Sequence, residues 1–157
     1  MHNGSAVKAR EWLDRGNQVT DAIDAFSNYW RGFNNLFFGA TQGYERDKIK
    51  TFLGQCISEA KAEMLLYEHA SEVTYLLSQP VTDMRGNGRD TSDYIQAFNT
   101  ATGSLAKLQE VFMVIYQVRC NLEHGQKSPS RERDIQLCQC ASPLVKQVVS
   151  YNASQIS

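Results

Sequence analysis

Apolar residues recur at helical spacing along most of the chain, beginning with a run near residue 20. Members of this run are 4, 3, 4, 3 and 4 positions apart, which places them on one face of an α-helix; they are Val19, Ile23, Phe26, Trp30, Phe33 and Phe37. Thr20 and Asp21 suit the start of such a helix, and Gly39 suits its end. The alternation that would predict a strand is absent. We interpret the aromatic residues as packing or dimer contacts.

Shorter helical patterns follow between residues 45 and 98. The acidic Glu45 and Asp47 suit the start of a second helix, whose apolar positions are Ile49, Phe52, Leu53, Cys56, Ile57 and Ala60. Residues 60–77 are also helix-like, with a predicted break near His69. Residues 80–92 are polar and contain Gly-Asn-Gly, which predicts a loop. A short helix is predicted to follow this loop and run through Phe98.

The helix that begins at Ser104 has the clearest pattern, with apolar steps of 3, 4, 3, 3 and 4; its residues are Leu105, Leu108, Phe112, Ile115, Val118 and Leu122. Val111 and Met113 widen this apolar face, which predicts a central position, and Gly125 suits the end of the helix. A last helix is predicted over residues 135–149, with Pro143 near one end.

Together these patterns predict an all-α fold. We expect a compact bundle of about four to six helices that forms a single domain over residues 1–157. Residues 1–18 are considered as a loosely packed N-terminal segment.

Composition agrees with one globular domain and narrows the choice of partner. The chain has 157 residues, 42% hydrophobic and 21% charged, which argues against disorder. Its 16 basic and 17 acidic residues give a formal net charge of −1, which excludes a protein that coats nucleic acid by bulk charge. Local binding of a few phosphates is still compatible with this net charge.

We expect a cytoplasmic protein without a membrane segment. The first residues have neither the basic nor the apolar region of an export signal, and no apolar stretch approaches the roughly 20 residues of a membrane span. The four cysteines are therefore interpreted as reduced thiols; they are Cys56, Cys120, Cys138 and Cys140. A zinc site that uses Cys138, Cys140, Cys120 and His124 is disfavoured, because Cys-x-Cys is tighter than the usual zinc pairs.

The end of the central helix carries the candidate chemistry. His124 lies one residue before Gly125, and Arg119 interrupts an otherwise apolar stretch. Asn121 and His124 are three positions apart and would share a helix face, and a long arginine side chain could reach the same pocket. From spacing alone, the structural interpretation is favoured: Arg119 would pair with a neighbouring carboxylate, and His124 would interact with the helix dipole.

The longer sequence that begins at Arg119 favours a functional interpretation instead. Residues 119–125 read Arg-Cys-Asn-Leu-Glu-His-Gly, and they are followed by Lys127, Ser128, Pro129, Arg131, Arg133 and Asp134. This region resembles the signature of HEPN-superfamily domains, compact helical bundles with an Arg, four to six residues and a His. It is similar to bacterial members that read Arg-Asn-Asn-Leu-Phe-His-Gly, and the resemblance spans about residues 20–150. Cys120 and Glu123 depart from the family pattern, and a carboxylate at 123 would repel phosphate unless it points away or pairs with Lys127 or Arg131.

The resemblance implies a metal-independent endoribonuclease that requires no cofactor and directs a ribose 2′-OH at the adjacent phosphate. His124 suits the proton transfer, Arg119 suits the phosphate, and Asn121 could orient either. Lys127, Arg131 and Arg133 would extend the phosphate contacts.

One chain offers a single suitable histidine, so we expect a homodimer with a composite site, as the family also implies. A toxin or defence role, with a nucleotidyltransferase-type antitoxin as a candidate partner, goes with this hypothesis. The alternative is a catalytically inactive HEPN-like module that binds RNA, a nucleotide or a protein.

Overall fold

The computed structural model describes residues 3–39, 42–123 and 131–153, and within these ranges the chain is helical and forms no sheet. The helices are α1 (Asn3–Asn17), α2 (Ala22–Phe37), α3 (Glu45–Cys56), α4 (Glu59–Glu68), α5 (Ala70–Leu77), α6 (Ser92–Thr100), α7 (Ser104–Glu123) and α8 (Glu132–Ala153). The all-α prediction is confirmed. The described residues form eight helices, however, and not four to six.

Local signals place several helix ends where the sequence predicts them. The Asp21 carboxylate caps α2 by accepting a hydrogen bond from the Asp24 backbone N–H at 2.9 Å. The predicted break at His69 separates α4 from α5. The predicted 80–92 loop is present and is closed by an isolated bridge between Thr82 and Asp90.

Helix α7 lies at the centre of the bundle, as its wide apolar face predicts. Every residue from Val111 to Val118 is buried, and α7 contacts α3, α4, α5, α6 and α8. The aromatic residues of α2 pack onto it: the ring centroid of Phe33 lies 5.4 Å from that of Phe112, and Trp30 lies 6.1 Å from Tyr116. These rings are core residues, and they pack against α7 as far as Tyr116.

Pro143 lies near the middle of the 22-residue α8, and the prediction that it stands near a helix end is wrong. The helix starts earlier and runs further than the apolar pattern indicates. A proline removes the hydrogen bond to the carbonyl four residues before it, here that of Gln139. Because Gln139 is exposed, water can satisfy that carbonyl and the helix continues.

Helix α1 is well packed, although its sequence carries little apolar signal. Ala6, Ala9 and Leu13 are buried against α2 and α8, so residues 4–17 are not a loose segment. The contact is close because Gly32 of α2 has no side chain: a Cβ there would lie 2.9 Å from the Ala9 carbonyl oxygen. Small residues allow the two helices to approach closely, but they do not produce the periodic pattern of large apolar side chains that predicts a helix.

Gly32→Ala is therefore expected to lower the free energy of unfolding by about 1–3 kcal/mol, since the new methyl group meets a backbone oxygen that cannot move freely. Urea unfolding measures the change. Gly54→Ala is the matched control, because a Cβ at this helical position meets only the end of the Gln109 side chain at 3.5 Å and should stabilise α3 by about 0.5–1 kcal/mol. Equal effects of the two substitutions would contradict the close contact.

Among the described residues, no helix is both long enough and apolar enough to cross a bilayer.

Candidate functional site

Arg119 lies in the last part of α7 between two carboxylates. Its Nη2 atom is 2.8 Å from Glu123 Oε1, four residues further along the same helix, and its Nη1 atom is 3.7 Å from Glu45 Oε2 at the start of α3. The Arg119 side chain keeps 23% of its surface exposed. The guanidinium is thus partly buried and paired, but it remains open to solvent on one side.

A network behind Arg119 fixes the position of Glu45. The Tyr116 hydroxyl donates a hydrogen bond of 2.5 Å to Glu45 Oε2. Burial raises the pKa of Tyr116 far above its usual value, and the bond to Glu45 raises it further; Tyr116 therefore stays protonated and continues to donate. The Arg46 guanidinium lies 4.9 Å from the centre of the Tyr116 ring, and the neighbouring Cys120 also raises the pKa of Tyr116.

An open pocket of about 210 Å³ lies beside Arg119; it is lined by Ser27, Trp30, Arg31, Arg119, Leu122 and Glu123. Two guanidinium groups, one from α2 and one from α7, therefore border the same cavity. Sequence reasoning missed Arg31 and Ser27. Their place next to the aromatic face of α2 gave no sign of function, since the pocket exists only where α2 meets the end of α7.

Asn121 does not line this pocket. Its side chain is buried, and both of its polar atoms are hydrogen-bonded: Oδ1 accepts from the Met84 backbone N–H at 3.0 Å and from Gln117 Nε2 at 3.0 Å, and Nδ2 donates to the Thr82 carbonyl at 2.8 Å. Two residues along an α-helix are about 200° apart, so Arg119 and Asn121 point in different directions. Asn121 fastens the 80–92 loop to α7.

The fastened loop is stiffened by Asp83, which is buried. Its carboxylate accepts hydrogen bonds from Arg85 and Asn87, the shortest being 2.7 Å from Arg85 Nη2. The Arg85 guanidinium holds the pKa of Asp83 well below its usual range. The carboxylate thus stays ionised and keeps the turn closed.

Arg131 and Arg133 border a separate pocket of about 290 Å³, together with residues 79–82, Met84 and Asp134. Arg133 Nη2 donates to the Gln79 carbonyl at 3.2 Å, and its guanidinium lies 5.8 Å from the Tyr75 ring. The two arginines are thus near the loop that Asn121 holds. They do not line the Arg119 pocket.

His124 and Lys127 lie outside the described residues, and His124 follows directly on Glu123. Of the two departures from the HEPN pattern, Cys120 is half-buried beside Tyr116, and Glu123 is exposed and bound to Arg119. Across residues 3–39, 42–123 and 131–153, no group of three or more His, Cys, Asp or Glu side chains is placed to hold a metal ion.

A scan of known protein-family models finds no match to the chain, and searches of curated proteins and of solved structures find none either. The HEPN resemblance of residues 119–134 stays a prediction.

Proposed function

We propose that the chain is a HEPN-type, metal-independent endoribonuclease that cleaves single-stranded RNA. The observation that carries this proposal is the pocket in which Arg119 and Arg31 lie together at the end of α7, because His124 is the next residue after that helix. Two permanently charged guanidiniums in an open cavity suit a phosphate and its flanking ribose. A histidine that directly follows this helix in the sequence suits the proton transfers.

The chemistry assigned to these groups is attack by a ribose 2′-oxygen on the neighbouring phosphorus. The 2′-OH loses its proton to a base, the bond to the 5′-oxygen breaks, and that oxygen takes up a proton. The products are a 2′,3′-cyclic phosphate and a 5′-OH. Arg119 would stabilise the charge on the phosphate oxygens, since a guanidinium has five N–H donors and its contacts with Glu123 and Glu45 leave donors available.

A second copy of the chain would supply the second histidine. The surface next to the site suits such a contact: Tyr44 is 85% exposed and immediately precedes Glu45, which reaches Arg119, and Phe38 at the end of α2 is 59% exposed. Exposed aromatic residues are typical of protein interfaces. We include in the proposal a homodimer with a composite site, a toxin or defence role, and a nucleotidyltransferase-type antitoxin as candidate partner.

Incubation of the purified chain with single-stranded RNA in EDTA tests the enzyme. We expect cleavage with 2′,3′-cyclic phosphate ends, and light scattering should give the mass of a dimer. A folded protein that leaves every tested RNA intact would overturn the proposal of catalysis, and a monomer would overturn the composite site.

One observation favours the second candidate, an inactive HEPN-like module that binds RNA. Arg119 already has a carboxylate at 2.8 Å and another at 3.7 Å, so its guanidinium is paired without a ligand. RNA binding without turnover is the result that this candidate predicts.

Glu123→Gln separates the two candidates. An exposed ion pair contributes at most about 1 kcal/mol, so removal of this carboxylate should tighten RNA binding by about threefold to fivefold. In the enzyme, kcat/KM should rise by a similar factor; in an inactive module, only affinity should change. Glu63→Gln, an exposed site on α4 with the same change of charge, is the control. Weaker binding by Glu123→Gln would show that Glu123 assists the ligand and does not compete with it.

A further inference from the structure

We propose that Arg31, Trp12 and Arg15 form a strand-binding extension of the Arg119 pocket, which holds the nucleotides of single-stranded RNA next to the phosphate at Arg119. This inference rests on the proposed function and extends it to a substrate-binding surface on α1 and α2.

The three side chains are continuous with the pocket. Arg31 lines the cavity together with Arg119, and its guanidinium carbon lies 5.1 Å from the centre of the Trp12 ring. The guanidinium carbon of Arg15 lies 5.6 Å from the same ring. The order of residues from α7 across α2 to α1 is therefore Arg119, Arg31, Trp12 and Arg15, with the pocket joining the first two and the Trp12 ring joining the last three.

The close packing of α1 on α2 holds this arrangement in place. Gly32, the neighbour of Arg31, is where α1 approaches most tightly, and a Cβ at this position would lie 3.4 Å from the Trp12 Cβ. The Trp12 indole is thus held beside Arg31 by backbone packing and not by the flexible ends of the side chains alone.

The charges of the extension are available to a ligand. Both Arg15 and Arg31 are exposed, and neither has a salt bridge to a described carboxylate, whereas Lys50 and Arg85 each have one and Arg119 has two. Glu11 and Asp14 are also on α1, but they form no ion pair with these two guanidiniums. Unpaired arginines can exchange counterions for phosphates without first losing a protein partner.

The chemistry of the extension selects single-stranded RNA. Indole and guanidinium planes provide flat surfaces on which unpaired bases stack, and guanidiniums also bind the intervening phosphates. Bases in a duplex are stacked on one another and cannot use such surfaces. The combination of one partly exposed tryptophan and two arginines is typical of sites that bind a strand with little sequence preference.

Fluorescence anisotropy with a labelled, 2′-O-methylated RNA of about a dozen nucleotides measures binding without cleavage, and a length of this order covers a typical single-strand site. We expect Arg31→Gln and Arg15→Gln each to weaken binding by about threefold to tenfold and to reduce the salt slope by about one phosphate contact. Lys61→Gln is the matched control, because the Lys61 ammonium lies 5.1 Å from the centre of the Tyr151 ring. Lys61 belongs to α4, where Glu59 accepts a hydrogen bond from the Ser104 backbone N–H at the opposite end of α7.

Tryptophan fluorescence gives a second, local readout. The chain has two tryptophans; Trp12 is partly exposed and Trp30 is buried. RNA should quench the emission of the wild-type protein, and Trp12→Phe should abolish most of that quenching and weaken binding. Thermal unfolding of each variant checks that α1 still packs.

The outcomes distinguish this inference from the proposed function. In one outcome, Arg119→Ala weakens RNA binding, but Arg31→Gln and Arg15→Gln bind RNA as well as the Lys61→Gln control does. That outcome would contradict the proposed extension and support the proposed Arg119 site. Equal affinity for duplex and single-stranded RNA would also overturn it. If the wild-type protein binds no single-stranded RNA, both the extension and the proposed function fall.

Discussion

Arg119→Ala is expected to slow RNA cleavage by about 100- to 1,000-fold, the usual loss when one donor to a developing oxyanion is removed. Arg119→Lys should recover part of the rate, because it keeps the charge but loses the planar pair of donors. The measurement is single-turnover cleavage of a labelled RNA in EDTA. The side chains of Glu45 and Glu123 are 35% and 57% exposed, so water can solvate both carboxylates when Arg119 is removed. The free energy of unfolding should therefore change by less than about 1 kcal/mol.

His124→Ala is the companion variant in this experiment. Loss of a proton-transferring histidine should lower the rate by about 100- to 10,000-fold and remove the bell-shaped dependence on pH that a histidine imparts. Arg89→Ala, an exposed arginine in the 80–92 loop, serves as the control for a general loss of positive charge. Full activity in both the Arg119 and the His124 variants would show that the motif region is structural.

Much of the fold follows from the sequence because large apolar side chains mark the core. The steps of α2 and α7 predict both helices and the central place of α7. Large apolar residues at helical spacing do not reveal helix α1, because the face that it buries includes Ala6, Ala9 and the backbone opposite Gly32. Small residues give close packing but little periodic signal.

The candidate site was predicted in part. The i,i+4 spacing of Arg119 and Glu123 on one helix is itself a signal for an ion pair, whereas the partners expected for Glu123 were Lys127 and Arg131. Glu45 and Arg31 come from helices distant in sequence, so only tertiary structure places them beside Arg119. Asn121 was predicted as a site residue because it is polar and lies three residues before His124. The structure buries its side chain, which forms hydrogen bonds to the 80–92 loop.

Asn121→Ala should therefore act on stability and not on catalysis. The substitution removes the hydrogen-bond partner of the Thr82 carbonyl, the Met84 N–H and the Gln117 Nε2 group. An unsatisfied buried group costs about 1–3 kcal/mol; because Thr82 is exposed and water can replace part of the loss, we expect a fall of about 2–4 kcal/mol in the free energy of unfolding. Urea unfolding measures it, with Asn99→Ala at an exposed position of α6 as a control expected to lie within about 0.5 kcal/mol of wild type.

The decisive comparison is activity per folded molecule at a temperature where the Asn121→Ala variant remains native. Asn121 does not line the Arg119 pocket, so the cleavage rate of the Asn121→Ala variant should stay within about threefold of the wild-type rate. Removal of a reacting group would lower the rate by much more. Asn121→Asp should also unfold more easily, because a carboxylate oxygen replaces Nδ2 and faces the Thr82 carbonyl. An Asn121→Ala variant with unchanged stability and a 100-fold slower rate would assign the side chain to the reaction. The 80–92 loop would then have to move on RNA binding to release it.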